Sequence, residues 1–239
     1  MKLTRFNVGW LSSPAMIWRQ GEPPERSIRF PIPAYLLETD EERILIDTGL
    51  HPEAVRDQEG HYGRSLFELE QERDITEQLD VSTLTKVVIT HLHFDHAGAL
   101  TLLPDSIPNV IQRREWEAGQ DEDAVARNFF NPRDYALDGR ELVLVDGDHD
   151  LLGDGSIELL LTPGHTPGHQ SVHVGDGLIL GVDVAHFAST YDDHRFPSFA
   201  DDFEAQARSA ERLRDLRDAG ANVIPGHDPD VLHPGPVEL

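Results

Sequence analysis

In the first half of the chain, apolar residues gather in short runs broken by turn residues: residues 3–11, residues 28–38 and Arg43–Ile46, the last leading into Asp47-Thr48-Gly49. Runs of this length, rich in Ile, Leu, Val and Phe and closed by Gly, Asp or Pro, predict β-strands. A polar stretch over 66–79 leans towards helix. The apolar run 86–90 then predicts a strand that leads directly into a group of histidines. Residues 97–103 can begin a helix, Asn109–Gln112 reads as a strand, and residues 115–126 read as a polar helix. A second strand-rich block covers 141–145, Ile157–Leu161, 171–174 and 178–184. Residues 202–219 follow as a helix, with Phe203, Ala207, Ala210, Leu213 and Leu216 expected on its apolar face. Gly220 ends it, and a strand over 222–224 leads into Pro225-Gly226-His227.

Two β-rich blocks, each with helices, predict two sheets packed face to face with helices outside. The expected fold is therefore α/β, a four-layer αββα sandwich. Without a linker or repeat, residues 1–239 are expected to form a single domain. Composition narrows the function. A formal net charge of -24, with Lys2 and Lys86 as the only lysines, argues against nucleic acid and anionic membranes as partners. The absence of cysteine excludes disulfides, thiolate metal sites and Cys nucleophiles, so a bound metal must use His and carboxylates. Asn7, Gly9, Ser12 and Ser13 interrupt the N-terminal apolar residues, and a cytoplasmic protein is the expectation.

Thr90-His91-Leu92-His93-Phe94-Asp95-His96 places three imidazoles and a carboxylate within six consecutive residues after a strand. His91 and His93, two apart, share a side of an extended segment, while Asp95 and His96 aim at a neighbouring point. One such histidine would read as a core residue satisfied by hydrogen bonds; four donors at this spacing read as metal ligands. Thr162-Pro163-Gly164-His165-Thr166-Pro167-Gly168-His169 forms a second cluster on rigid turns. Asp183 ends another apolar run, and its two carboxylate oxygens could bridge two cations; alone it would read as a turn cap. His227 again follows a short strand.

The segment Thr90 to His96 resembles the HxHxDH signature of the metallo-β-lactamase superfamily, and His165, Asp183 and His227 recur downstream in that family's order. The resemblance implies the metallo-β-lactamase fold and two divalent ions, zinc first, with manganese, cobalt or iron also suited to the same donors. His91, His93 and His165 would hold one ion, Asp95, His96 and His227 the other, and Asp183 would bridge them. His169 would support the ligands from behind.

Within the superfamily, Pro31 to Thr39, Ile44 to Gly49 and the Gly147-to-Ser171 half are most similar to the N-acyl homoserine lactonases. This implies opening of a lactone ester by a metal-bridging hydroxide. Asp95 would pass a proton to the departing alkoxide. Where those lactonases carry a tyrosine three residues after the bridging Asp, this chain has His186, whose N–H could stabilise the oxyanion; Tyr191 is a second candidate for the missing hydroxyl. Trp10, Met16, Trp18, Phe30, Phe129, Phe130 and Phe187 are candidates for an acyl-chain pocket, and exposed N-terminal aromatics for a homodimer interface.

Competing readings are a glyoxalase II-like thioesterase, a phosphotriesterase-like hydrolase and a non-enzymatic metal-stabilised binding protein. The first would need a basic pocket, and Arg212, Arg214 and Arg217 read as helix-surface residues. Seven donors for two ions leave room for water, unlike closed structural sites. No Gly-x-Ser-x-Gly elbow supports a serine hydrolase.

Overall fold

In the computed structural model, which describes residues 1–65, 67–137, 139–175 and 177–238, the apolar runs collect into two sheets. One contains β1 (Lys2–Pro14), β2 (Ser27–Glu38), β3 (Arg43–Ile46), β4 (Glu68–Glu70), β5 (Lys86–Val88), β6 (Asn109–Gln112), β7 (Leu142–Val145) and β13 (Gly235–Val237). The other contains β8 (His149–Asp150), β9 (Ile157–Leu161), β10 (Gln170–Val174), β11 (Leu178–Val182) and β12 (Asn222–Pro225). The strand orders are β13-β1-β2-β3-β5-β6-β7, with β4 paired to β1, and β12-β11-β10-β9-β8. β3, β5, β6 and β7 run parallel, as do β11 and β12.

The pleat of the central strands explains the layering, because successive side chains point to opposite faces. Ile44 and Ile46 pack with Leu37 and Val88 between the sheets, where they meet Leu159, Val172, Leu180 and Ile224 of the second sheet. Leu45, Leu36 and Val87 point the other way, into a cluster with Ile75, Ala97 and Leu100 from the helical side. On the far face of the second sheet, Leu160 and Ile179 pack against Ala210 and Leu213 of the helix Phe203–Asp218. Three apolar interfaces thus separate helix, sheet, sheet and helix, which is the expected αββα arrangement. No helix among the described residues is long and apolar enough to cross a membrane.

Several expected elements shift. The 66–79 stretch is not one helix: Leu66 lies outside the described residues, Glu68–Glu70 pairs with β1, and only Ile75–Gln78 is helical. That short helix starts at a capping box in which Asp74 accepts from Thr76 N and Glu77 N. The 115–126 helix is two, Arg113–Gln120 and Glu122–Asn128, divided at Asp121, whose side chain caps the second by accepting from Ala124 N. On Phe203–Asp218 the buried stripe is Gln206, Ser209, Ala210 and Leu213, while Phe203 and Leu216 are exposed. The polar Gln206 is buried because its amide donates to Asp183 O and Val184 O, which apolar counting does not anticipate.

Candidate metal centre

The parallel strands β3 and β5, and β9, β11 and β12 of the second sheet, all deliver their C-terminal ends to one rim of the sandwich. Asp47 follows β3, His91 to His96 follow β5, His165 follows β9, Asp183 follows β11 and His227 follows β12. Loops leaving the carboxyl ends of strands are where layered α/β folds gather ligands. Two backbone features aim the carboxylate at β11's end. Val182 adopts a left-handed φ of 49°, unfavourable for a β-branched residue, at an irregularity in the β11–β12 register. Gly226 leaves room, since a Cβ there would collide with Asp183 Oδ1.

His91, His93, His165 and Asp183 form one donor group, and Asp95, His96 and His227 another, each with its donor atoms within 4.8 Å of one another. In the first group His91 Nε2 is 3.1 Å and His165 Nε2 2.9 Å from His93 Nδ1, and Asp183 Oδ2 lies 3.3 Å from His165 Nε2. In the second, His96 Nε2 and His227 Nε2 are 3.4 Å apart, and Asp95 Oδ2 is 3.6 Å from His227 Nε2. Asp183 reaches both groups, with Oδ1 3.1 Å from His227 Nε2 and Oδ2 3.5 Å from His96 Nε2. Donors about 2.0–2.1 Å from a tetrahedral zinc sit roughly 3.3 Å from one another, so these spacings suit an ion at the centre of each group.

The electrostatics point the same way. Burial, reinforced by the neighbouring imidazoles, holds His91 and His93 well below the usual histidine pKa, leaving the neutral rings that coordination requires. Burial also opposes ionisation of Asp183, but His227, His186 and His96 outweigh it and keep the carboxylate charged. His96 and His227 are pushed upward: burial works against their charge, and Asp183 with Asp95 overcomes it. Asp95 and Asp183 therefore call for positive charge between them, which divalent cations would provide.

His186 sits at the same centre, fully buried, with Nε2 3.4 Å from Asp183 Oδ2 and neither ring nitrogen hydrogen-bonded. Burial holds its pKa well below the ordinary value, so it is a neutral imidazole with one N–H to donate. Tyr191 does not reach the centre: its ring packs with Leu213 and Ile179 behind the second sheet. His169 accepts from Asp183 N at 3.2 Å, and its other nitrogen lies 3.0 Å from Thr162 Oγ1. Burial, then the proximity of His165, lowers its pKa to about 3.

Asp47 and Glu115 escaped the reading of the sequence. Asp47, at a left-handed φ of 59°, accepts from Thr90 N at 2.8 Å and Thr90 Oγ1 at 2.7 Å and lies 2.8 Å from His96 Nδ1. Its place in Asp47-Thr48-Gly49 at a strand end was the available signal. Glu115 is fully buried, and burial pushes its carboxyl up to about 7 although three donors pull it down; nothing in a polar helix marks it as internal. His51, Glu53 and His61 also approach one another. Their two imidazoles stack at 4.6 Å and 22°, and two of the ring nitrogens are already engaged: His51 Nδ1 accepts from Glu53 N at 3.1 Å, and His61 Nε2 lies 3.0 Å from Asp134 Oδ1.

A cavity of about 400 Å³ opens beside Asp95, His93 and Asp183, walled by Ile17, Trp18, Phe67, Phe94, Phe129 and Phe199. Of the expected aromatic lining, Trp18 and Phe129 are present. Trp10 lies under the Arg29 guanidinium, Met16 is exposed, Phe30 packs against His227 and Phe130 against His93.

The family model described as the metallo-beta-lactamase superfamily matches residues 28–227, most of the chain. The chain belongs to this superfamily. An N-acyl homoserine lactonase, AttM, of Azorhizobium caulinodans is 30% identical over 219 residues, 84% of this chain and 83% of that protein. An N-acyl homoserine lactonase of Bacillus thuringiensis is 28% identical over 221 residues, 86% of this chain and 84% of its own length. Among solved structures, an N-acyl homoserine lactone hydrolase with the product N-hexanoyl-L-homoserine bound at its catalytic metal centre superimposes with a TM-score of 0.82 at 26% identity. That match covers 96% of this chain and 94% of the other.

Proposed function

We propose that this protein is a dinuclear-metal-dependent hydrolase of lactone ester bonds, acting on N-acyl homoserine lactones or closely related lactones. The observation that carries the reading is Asp183, shared by two imidazole-rich donor groups beside an apolar cavity. His91, His93 and His165 would hold one ion, Asp95, His96 and His227 the other, and Asp183 both; zinc is the ion proposed, with manganese, cobalt or iron compatible with the same donors. When bound, the ions would supply Lewis acidity and a water acidic enough to ionise near neutral pH.

The chain's own residues do the rest. His186, whose ring nitrogens make no hydrogen bond although Nε2 lies 3.4 Å from Asp183 Oδ2, would offer an N–H to the oxygen of the lactone carbonyl as charge develops there. Asp95 borders the cavity; its carboxylate would take up the proton given up by the attacking water and pass it to the alkoxide released on ring opening. The aromatic walls suit an apolar acyl arm and exclude water from it. A glutathione thioester is disfavoured, because no Lys or Arg among the described residues lines this cavity, and Arg212 and Arg217 are paired with Asp148 and Asp192. The pairing of β13 with β1 supports treating residues 1–239 as one domain.

The test is acid release from a panel of short- and long-chain acyl homoserine lactones, γ-lactones, aryl esters, a glutathione thioester and a phosphotriester. Preferential, chelator-sensitive opening of the acyl homoserine lactones is expected. Activity confined to the thioester or phosphotriester would overturn the proposed substrate class while retaining the metal site.

A further inference from the structure

The first donor group is assembled from two loops that belong to different sheets. His91 and His93 follow β5 of the eight-stranded sheet, and His165 follows β9 of the five-stranded sheet. Holding their nitrogens about 3 Å apart requires something that ties one loop to the other. Gln170 provides part of this near the sheets, through its bonds to Thr90 O and Ile89 O. Nearer the ligands, one side chain spans the gap. Glu115 Oε1 accepts from Leu92 N at 2.9 Å, between His91 and His93. Its Oε2 accepts from Thr166 Oγ1 at 2.9 Å and Gly168 N at 2.7 Å, just after His165.

The helix carrying Glu115, Arg113–Gln120, is seated against both loops. A Cβ on Gly168 would collide with the Glu115 backbone, and a Cβ on Gly119 with the Leu92 side chain. Glu115 is fully buried and makes no bond to an imidazole, so its action on the ligands runs through the backbone that carries them.

We propose that Glu115 is a positioning residue that clamps the His91–His93 loop to the His165 loop, and so sets the affinity of the first ion without touching it. This rests on the metal-site reading above. A carboxylate is suited to the task because both oxygens are acceptors, matching three converging donors. In Glu115→Gln the volume is kept, but the amide NH2 must face a backbone N–H, that of Leu92 or that of Gly168, and that bond is lost; on the Gly168 side the Thr166 hydroxyl can turn to accept from the NH2, but the backbone tie is gone. The second group, Asp95, His96 and His227, is secured separately through Asp47 on His96 and through Pro31 O, 3.0 Å from His227 Nδ1.

The test is stepwise titration of the metal-free chain with cobalt(II) against a competing chelator, following the visible cobalt spectrum, for wild type and Glu115→Gln in parallel. Affinity for one ion should fall roughly 10- to 100-fold, as loss of a partner behind a ligand does, with a changed spectrum and the other ion within about 2-fold on the same standard. Thr166→Val, which removes one of the three bonds at near-constant volume, should shift the same ion in the same direction by less. It serves as the readout if Glu115→Gln does not fold. Superimposable titrations of variant and wild type, or equal loss of both ions, would overturn the clamp while leaving the metal site intact. Wild-type protein that takes up no cobalt would overturn the metal-site reading, and the clamp with it.

Discussion

Asp134 is fully buried, with Oδ1 3.0 Å from His61 Nε2. Burial pushes its carboxyl from 3.8 up to about 6, against the pull of His61, Asn131 and Tyr62. Between these two values the folded chain holds a proton that the unfolded chain has released. This group's contribution therefore becomes less favourable as pH rises, and the full cost is reached above pH 6. At about 1.4 kcal/mol per pH unit, the gap corresponds to about 3 kcal/mol. Asp134→Asn keeps the shape and an acceptor for His61 but cannot ionise. Relative to wild type, the variant should gain about 2 to 3 kcal/mol between pH 4 and pH 8, read from urea unfolding of both proteins with equal metal loading. Because Asp134 belongs to neither donor group at the metal centre, the pH dependence of metal binding is common to both proteins and cancels. A difference that stays flat across this range, or moves against the variant as pH rises, would refute the argument that burial dominates this carboxyl.

Asp95→Asn, with both ions retained by elemental analysis, should cut lactone turnover at least about 100-fold if Asp95 carries the proton to the leaving alkoxide; unchanged kcat would remove it from that role. His186→Ala should lower kcat by about 100- to 1,000-fold with little change in metal content, and His186→Gln, which restores an N–H donor, should recover part of it. Loss of an ion in His186→Ala would instead make the imidazole a ligand. Gly164→Ala should lower the melting temperature by about 4 to 8 °C, corresponding to about 2 kcal/mol. Gly164 has φ 130° and its Cβ would strike the Gln206 backbone, so a wild-type melting temperature would show that this loop yields more easily than its packing implies.

Local pattern carried much of this protein. Apolar runs placed β3, β6 and β9 at their observed limits, because strand period and turn residues are properties of neighbouring positions. The donors were legible for a related reason: His91, His93, Asp95 and His96 crowd into six residues, and such density has few other physical explanations. What the sequence could not express is which distant groups answer one another. Glu115 looked like one more acid on a polar helix, yet it lies inside because Leu92, Thr166 and Gly168 converge on it. Gln206 fills a stripe expected to be apolar because two carbonyls beside Asp183 need a donor. Tyr191 lies five residues from His186, but after β11 the chain sends one ring to the metal centre and the other behind the sheet. Hydrogen-bond satisfaction and burial depend on what the other sheet and the outer helices bring, and those partners meet only when the four layers close.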